Sequence, residues 1–190
     1  MTLSEHLNEE GQSSVFIKHL SDPIGTLKRG GDIKNKETYN KRGRSFSKIG
    51  KYKQAIEDYN MALAIDSNYA IVYNNKGIVY EQIGKYKDAI DCYNKSIKKD
   101  SLDPRFYFNR GVSYLYLDQP ISAIDDFDLA IQKNSREPIF YLNRGMAYFI
   151  LNRLKFACED WEKASKLGSN EAKVYLKEKC QNNDLNLVEM

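Results

Sequence analysis

The chain offers few residues with which to do chemistry. Its only histidines are His6 and His19. Both precede the patterned part of the sequence, so no general base or catalytic triad can be built on histidine in the body. Phosphate chemistry would need a glycine-rich loop after a strand. Neither GxxxxGK[ST] nor GxGxxG occurs, and Lys28-Arg29-Gly30-Gly31 lacks the strand and the spacing, so it reads as a flexible linker. Adjacent carboxylates at Glu57-Asp58, Asp125-Asp126 and Glu159-Asp160 would suit a metal ion. They recur at one phase of a repeat, however, and a solvated helix face is the expected reading. Cys92, Cys158 and Cys180 are an odd, scattered set with neither a disulfide framework nor zinc-ligand spacing. Cys158 stands where other repeats place isoleucine and is expected as a small buried core residue. Cys92 replaces an acid and is expected to be exposed. No catalytic residue, cofactor or metal is expected.

The elements that position everything else follow a 34-residue period. Gly43, Gly77, Gly111 and Gly145 keep that step, as do Tyr39, Tyr73, Tyr107 and Tyr141. Ala55, Ala89, Ala123 and Ala157 share it, and so do Tyr59, Tyr93, Phe127 and Trp161. A regular repeat of this length is the signature of a two-helix unit stacked into a solenoid. The repeats fall at 36–69, 70–103, 104–137 and 138–171, each reading as helix A, turn, helix B, turn. In helix A, the tyrosine at position 4, the glycine at 8 and the aromatic at 11 share one face. Glycine inside a helix costs about 1 kcal/mol against alanine. Four such costs at one phase imply a common purpose, close approach of helix B. Gly50, Gly84, Asp118 and Asn152 at position 15 suit the left-handed residue that ends a helix. Ser67, Ser101, Ser135 and Ser169 at position 32 suit turn and capping bonds. Pro104, Pro120 and Pro138 open helices, where the missing N–H costs nothing.

This pattern resembles the tetratricopeptide repeat family. The family's aromatic, leucine-glycine, tyrosine, alanine, phenylalanine, alanine signature maps onto Tyr73, Lys76-Gly77, Tyr80, Ala89, Tyr93 and Ser96. It recurs as Tyr107, Arg110-Gly111, Tyr114, Ala123, Phe127 and Ala130. The resemblance covers residues 36–171. It implies an all-α fold, a right-handed α-α superhelical solenoid of four helix-turn-helix repeats with a C-terminal capping helix at 172–180. Residues 1–35 are expected as a flexible segment with a short helix within 13–20, and 181–190 as a frayed tail. Two departures are consistent along the chain. Position 7 is Arg42, Lys76, Arg110 and Arg144 in place of leucine, and position 32 is serine in place of proline. The basic head at position 7 is expected to reach water along its stem.

The resemblance further implies that positions 2, 5, 6, 9, 12 and 13 of helix A line a concave groove. The expected peptide-binding residues are Asn40, Lys41, Arg44, Asn75, Arg105, Asn109, Tyr116, Asn143, Met146 and Phe149. Asn75, Asn109 and Asn143 share position 6, with Lys41 at its start. They would hold an extended peptide backbone, since each amide both donates and accepts; equally, asparagine is simply a common family residue there. The groove is graded. Seven bases lie between Lys36 and Lys53 against one acid, Glu37. The other end offers Leu115, Tyr116, Met146, Phe149 and Ile150, and an apolar patch usually marks an interface. A peptide with an acidic end and apolar anchors fits that gradient; alternatively, Val15-Phe16-Ile17 or Leu185-Asn186-Leu187-Val188 covers the patch.

The leading function is a non-enzymatic protein-interaction scaffold. One alternative is a chaperone adaptor with a dicarboxylate clamp, for which the matching positions hold Asn40, Arg44, Asn75, Arg105 and Asn109; only Asn75 agrees in kind. A second is nucleic-acid binding through the basic first repeat. The net charge of +3 and the apolar far end disfavour it. A homo-oligomer is compatible with each reading. No run approaches a membrane span and the N-terminal residues do not form a signal peptide. A cytoplasmic protein is expected, or an exported one lacking its signal.

Overall fold

The computed structural model describes residues 35–181, and every element among them is helical. The expectations placed on 1–34 and 182–190 lie outside the described residues. The chain forms two compact bodies that divide between Lys99 and Asp100. The first holds α1 (Lys36–Lys48), α2 (Tyr52–Ile65), α3 (Ala70–Gln82) and α4 (Tyr86–Lys99). The second holds α5 (Pro104–Tyr116), α6 (Pro120–Lys133), α7 (Pro138–Ile150) and α8 (Leu154–Lys166). It ends in α9 (Asn170–Tyr175) and a π-helical turn, Leu176–Gln181. In each body the helices pair in chain order, α1 with α2, α3 with α4, α5 with α6 and α7 with α8.

The pairing rests on one wedge used four times. A Cβ added at Gly77 would lie 2.5 Å from the Tyr93 ring, and one at Gly111 would lie 2.7 Å from Phe127. Gly43 meets Tyr59 and Gly145 meets Trp161 in the same way. The glycine is therefore the socket for the helix B aromatic at position 24. Ala55, Ala89, Ala123 and Ala157 are fully buried beside it. A larger side chain there would force the two helices apart.

The turns use the expected chemistry. Gly50 and Gly84 have φ of 74°, and Asp118 and Asn152 take φ of 56°. Past each, a backbone N–H reaches back into helix A, as Lys85 N does to Tyr80 O at 2.8 Å and Arg153 N to Tyr148 O at 2.9 Å. These bonds satisfy carbonyls that the helix end leaves open. Tyr107 and Tyr141 donate their hydroxyls to the carbonyls of Ser101 and Ser135 at 3.3 and 3.2 Å. Ser169 uses its hydroxyl, accepting from Ala172 N to cap α9.

Four expectations are corrected. Cys158 is joined to Cys180 in a disulfide, so it is not a free core thiol. An odd cysteine count concealed one pair and one single residue. Cys92 is buried at 6% exposure, not exposed. The carboxylates at position 23 do not face solvent: Asp58, Asp126 and Asp160 are 4%, 3% and 5% exposed. The arginines at position 7 do not end in water, because they reach those carboxylates. Arg42 Nε and Nη2 donate to Asp58 at 2.7 and 2.6 Å. Arg110 reaches Asp126 and Arg144 reaches Asp160 with both donors at 2.8 and 2.6 Å.

Candidate functional site

In the first body, α1 and α3 present one continuous face stitched by side chains. Asn75 Nδ2 donates to Asn40 Oδ1 at 2.8 Å, and Ser47 Oγ bonds Gln82 Oε1 at 3.0 Å. Both ties span 35 residues, one repeat plus one position. Asn40 is itself 8% exposed, so it supports the face from below. Lys41, Arg44 and Lys48 stand exposed on α1. Arg44 lies close enough to Tyr59 for its charge to oppose the upward push that burial gives that phenol. Lys36 is spent differently, on Asp66 at 2.5 Å, with Tyr69 beneath its ammonium.

In the second body, the equivalent positions of α5 and α7 are apolar. Phe108 stands where Asn40 stands, and its ring packs 5.1 Å from Phe140 and 5.8 Å from Phe127. Asn143, the counterpart of Asn75, donates Nδ2 to the Ile139 carbonyl at 2.8 Å. Asn109 and Met146 are half-buried. Tyr116 is 64% exposed, Ile150 45% and Phe149 37%. Phe149 is steadied by Trp161 below and by Lys179, whose ammonium lies 5.9 Å from its ring. Arg105 is exposed, but its guanidinium folds onto Asp103, with Nε 2.9 Å from Oδ1.

Three of the repeats also carry a charge pair that sequence reasoning missed. Each arginine at position 7 meets the aspartate at position 23 of its own repeat. Tyr107 and Tyr114 flank the Arg110 guanidinium at 5.8 and 6.0 Å, and Tyr141 and Tyr148 flank that of Arg144 at 5.7 and 6.0 Å. The hydrogen bond to Asp126 is the main cause that holds Arg110 more firmly protonated than usual. Burial pushes the Asp126 and Asp160 carboxyls up, against the pull of their arginines. The second repeat departs at both positions together. Cys92 replaces the aspartate, and Lys76 replaces the arginine and turns to Asn60 Oδ1 at 2.7 Å. That paired departure was the available sequence signal. The Cys92 thiol is pushed up by burial. Among the described residues no cluster of histidine, cysteine or acidic side chains could hold a metal ion.

The folded class is thus an all-α repeat solenoid of tandem helix pairs with polar and apolar A-helix faces. Comparison with known families finds a TPR repeat over residues 43–84 and a tetratricopeptide repeat over 70–101. The first TPR of Spaghetti (RPAP3), solved bound to the HSP90 peptide SRMEEVD, is 35% identical. That alignment covers 63% of this chain and 96% of that one, with a TM-score of 0.59. The first TPR domain of human RPAP3, solved by NMR, is also 35% identical over 59% of this chain and 90% of its own, with a TM-score of 0.57. A crystal structure of MamA matches over 91% of this chain and 98% of its own, with a TM-score of 0.71; at 22% identity it speaks to the fold alone. No curated protein sequence matches the chain. The chain belongs to the tetratricopeptide repeat family. Among the described residues no helix is long and apolar enough to cross a membrane.

Proposed function

We propose that this protein is a non-enzymatic scaffold that binds an extended segment of a partner protein along the A-helix faces of its repeats. The observation that carries the reading is the chemical contrast between those faces. Lys41, Arg44 and Lys48 form an exposed cationic row on α1. Tyr116, Phe149 and Ile150 stand exposed on α5 and α7. The favoured ligand has acidic residues for the first body and apolar anchors for the second. In this reading Asn75 on α3 of the first body, and Asn109 and Asn143 on α5 and α7 of the second, serve its backbone, with Met146 on α7 among the apolar anchors.

Selection from a random peptide library, read by fluorescence anisotropy, tests this reading. Recovered peptides should combine acidic and apolar residues. Lys41→Ala with Arg44→Ala should remove the acidic preference, and Phe149→Ala the apolar one. Peptides that bind both variants as they bind wild type would overturn it.

A chaperone-adaptor reading is favoured by one observation, the 35% identity to a repeat domain solved with SRMEEVD. The residues at the clamp positions argue for a weakened version. Asn40 is buried under Asn75, and Arg105 is drawn to Asp103. Titration with SRMEEVD and with its C-terminal amide separates the readings. Equal affinity removes the clamp and leaves the general scaffold intact.

A further inference from the structure

We propose that the Cys158–Cys180 disulfide is a reversible redox site whose reduction by a dithiol releases the C-terminal cap of the second body. The bond joins α8 to the π-helical turn. Neither cysteine is fully buried, so an attacking thiolate can reach the pair. The third cysteine lies elsewhere, in the first body, where burial favours its protonated thiol. It is therefore a poor nucleophile and does not reshuffle the bond.

The cap is short, and the disulfide ties its far end to α8. The element α9 has six residues and the π-helical turn six more. Isolated helices this short are marginal in water, and a π-helical turn is rare as free-standing structure. The cap leans chiefly on α8. Its contacts include Ala172, fully buried, Tyr175 tilted 5.0 Å from Trp161, Leu176 packed on the same apolar cluster, and Lys179 over Phe149. Opening the disulfide removes the one covalent tie among these. The surface then uncovered is apolar, centred on Trp161 with Leu142 and Ala164.

The exchange balances as follows. A thiolate of the dithiol attacks one sulfur of the pair, the Cys158–Cys180 bond breaks, and the other cysteine leaves as a thiolate that takes a proton from water. The second thiol of the reductant then attacks the mixed disulfide and frees the remaining cysteine. Two electrons pass to the pair and the dithiol becomes a disulfide. Such bonds persist in oxidising compartments and are reduced elsewhere, so the state of the cap follows the redox poise around it.

The test uses the full chain. Alkylation of air-oxidised protein under denaturing, non-reducing conditions should modify Cys92 alone; three modified cysteines would overturn the proposal. Dithiothreitol, and then thioredoxin with its reductase, should reduce the pair under native conditions. Amide exchange across 170–181 should then quicken by about tenfold or more, as expected when a segment gains a local opening route. Exchange across 138–166 should hold, and reoxidation should restore the protection. Trp161 is the sole tryptophan, so its emission should shift to the red in step. Cys158→Ser with Cys180→Ser should show the reduced pattern with or without reductant. A native pair that resists both reductants, or a cap equally protected in both states, would overturn the proposal. Because wild-type protein is its own control, a misfolded variant does not obscure the result.

Discussion

Arg110 grips both carboxylate oxygens of Asp126, at 2.8 and 2.6 Å, from sixteen residues away. The bond crosses from helix A to helix B of one repeat, and the same grip recurs at Arg42–Asp58 and Arg144–Asp160. Removing one partner leaves a half-buried charge without its counter-ion. Asp126→Ala should therefore cost on the order of 3 kcal/mol, whereas Arg110→Met with Asp126→Leu should be nearly neutral. Urea unfolding of the two variants checks this. A single substitution that costs less than the double one would sink the argument.

The second repeat supplies the converse experiment. Cys92 and Lys76 occupy the positions of the missing pair. Cys92→Asp alone should destabilise, because Lys76 already bonds Asn60. Adding Lys76→Arg should recover stability, with a coupling of about 1 kcal/mol or more for groups in direct contact. A double-mutant cycle with additive effects would show that the position 7 and position 23 residues do not act as a pair.

Gly77 should be intolerant of even one carbon. Its added Cβ would lie 2.5 Å from the Tyr93 ring. That ring cannot swing away, being fully buried and bonded through its hydroxyl to Glu81 at 2.8 Å. Overpacking of this kind costs roughly 1–3 kcal/mol, more than the helix propensity that alanine returns. Gly84→Ala meets no atom within 4 Å but holds φ at 74°, so its cost is purely conformational, about 1 kcal/mol. Tyr93→Leu should relieve the first penalty and leave the second untouched. Thermal unfolding of wild type, Gly77→Ala and Gly84→Ala, each with and without Tyr93→Leu, distinguishes steric from conformational cost.

What was legible in the sequence was what the period repeats. The glycine socket and the left-handed turn residue both sit at fixed phases, and physical chemistry allows few other uses for them. The buried aspartates were misread because each sits beside an exposed neighbour. Glu57 and Asp58 look like one acidic pair, yet adjacent helical residues point in different directions, and only Asp58 turns inward. The disulfide was illegible for another reason. A regular fifth A helix would place Cys180 at position 9, on the groove side, but the π-helical turn changes that phase. The candidate groove positions could be named from the family resemblance. Their partners could not, because Asn75 on Asn40 and Arg105 on Asp103 are choices of rotamer and not of phase.

The Asp103 carboxylate links α5 to pH. It caps the helix by accepting from Arg105 N at 3.0 Å and also holds the Arg105 guanidinium. Burial alone would raise its pKa, but the hydrogen bonds from the Arg105 side chain and backbone outweigh that, and the value falls below the ordinary one. A carboxyl with a depressed folded pKa contributes stability that is present above its unfolded value, about pH 4, and is lost as pH falls through the folded value. Asparagine caps a helix comparably but carries no charge. Asp103→Asn should therefore cost a few tenths to about 1 kcal/mol at pH 7, the range for a pair whose arginine is largely exposed. The difference from wild type should shrink as the pH drops below 4. Urea midpoints measured from pH 7 to pH 3 follow it directly. A gap that stays constant across that range would mean that the ion pair adds nothing beyond the cap.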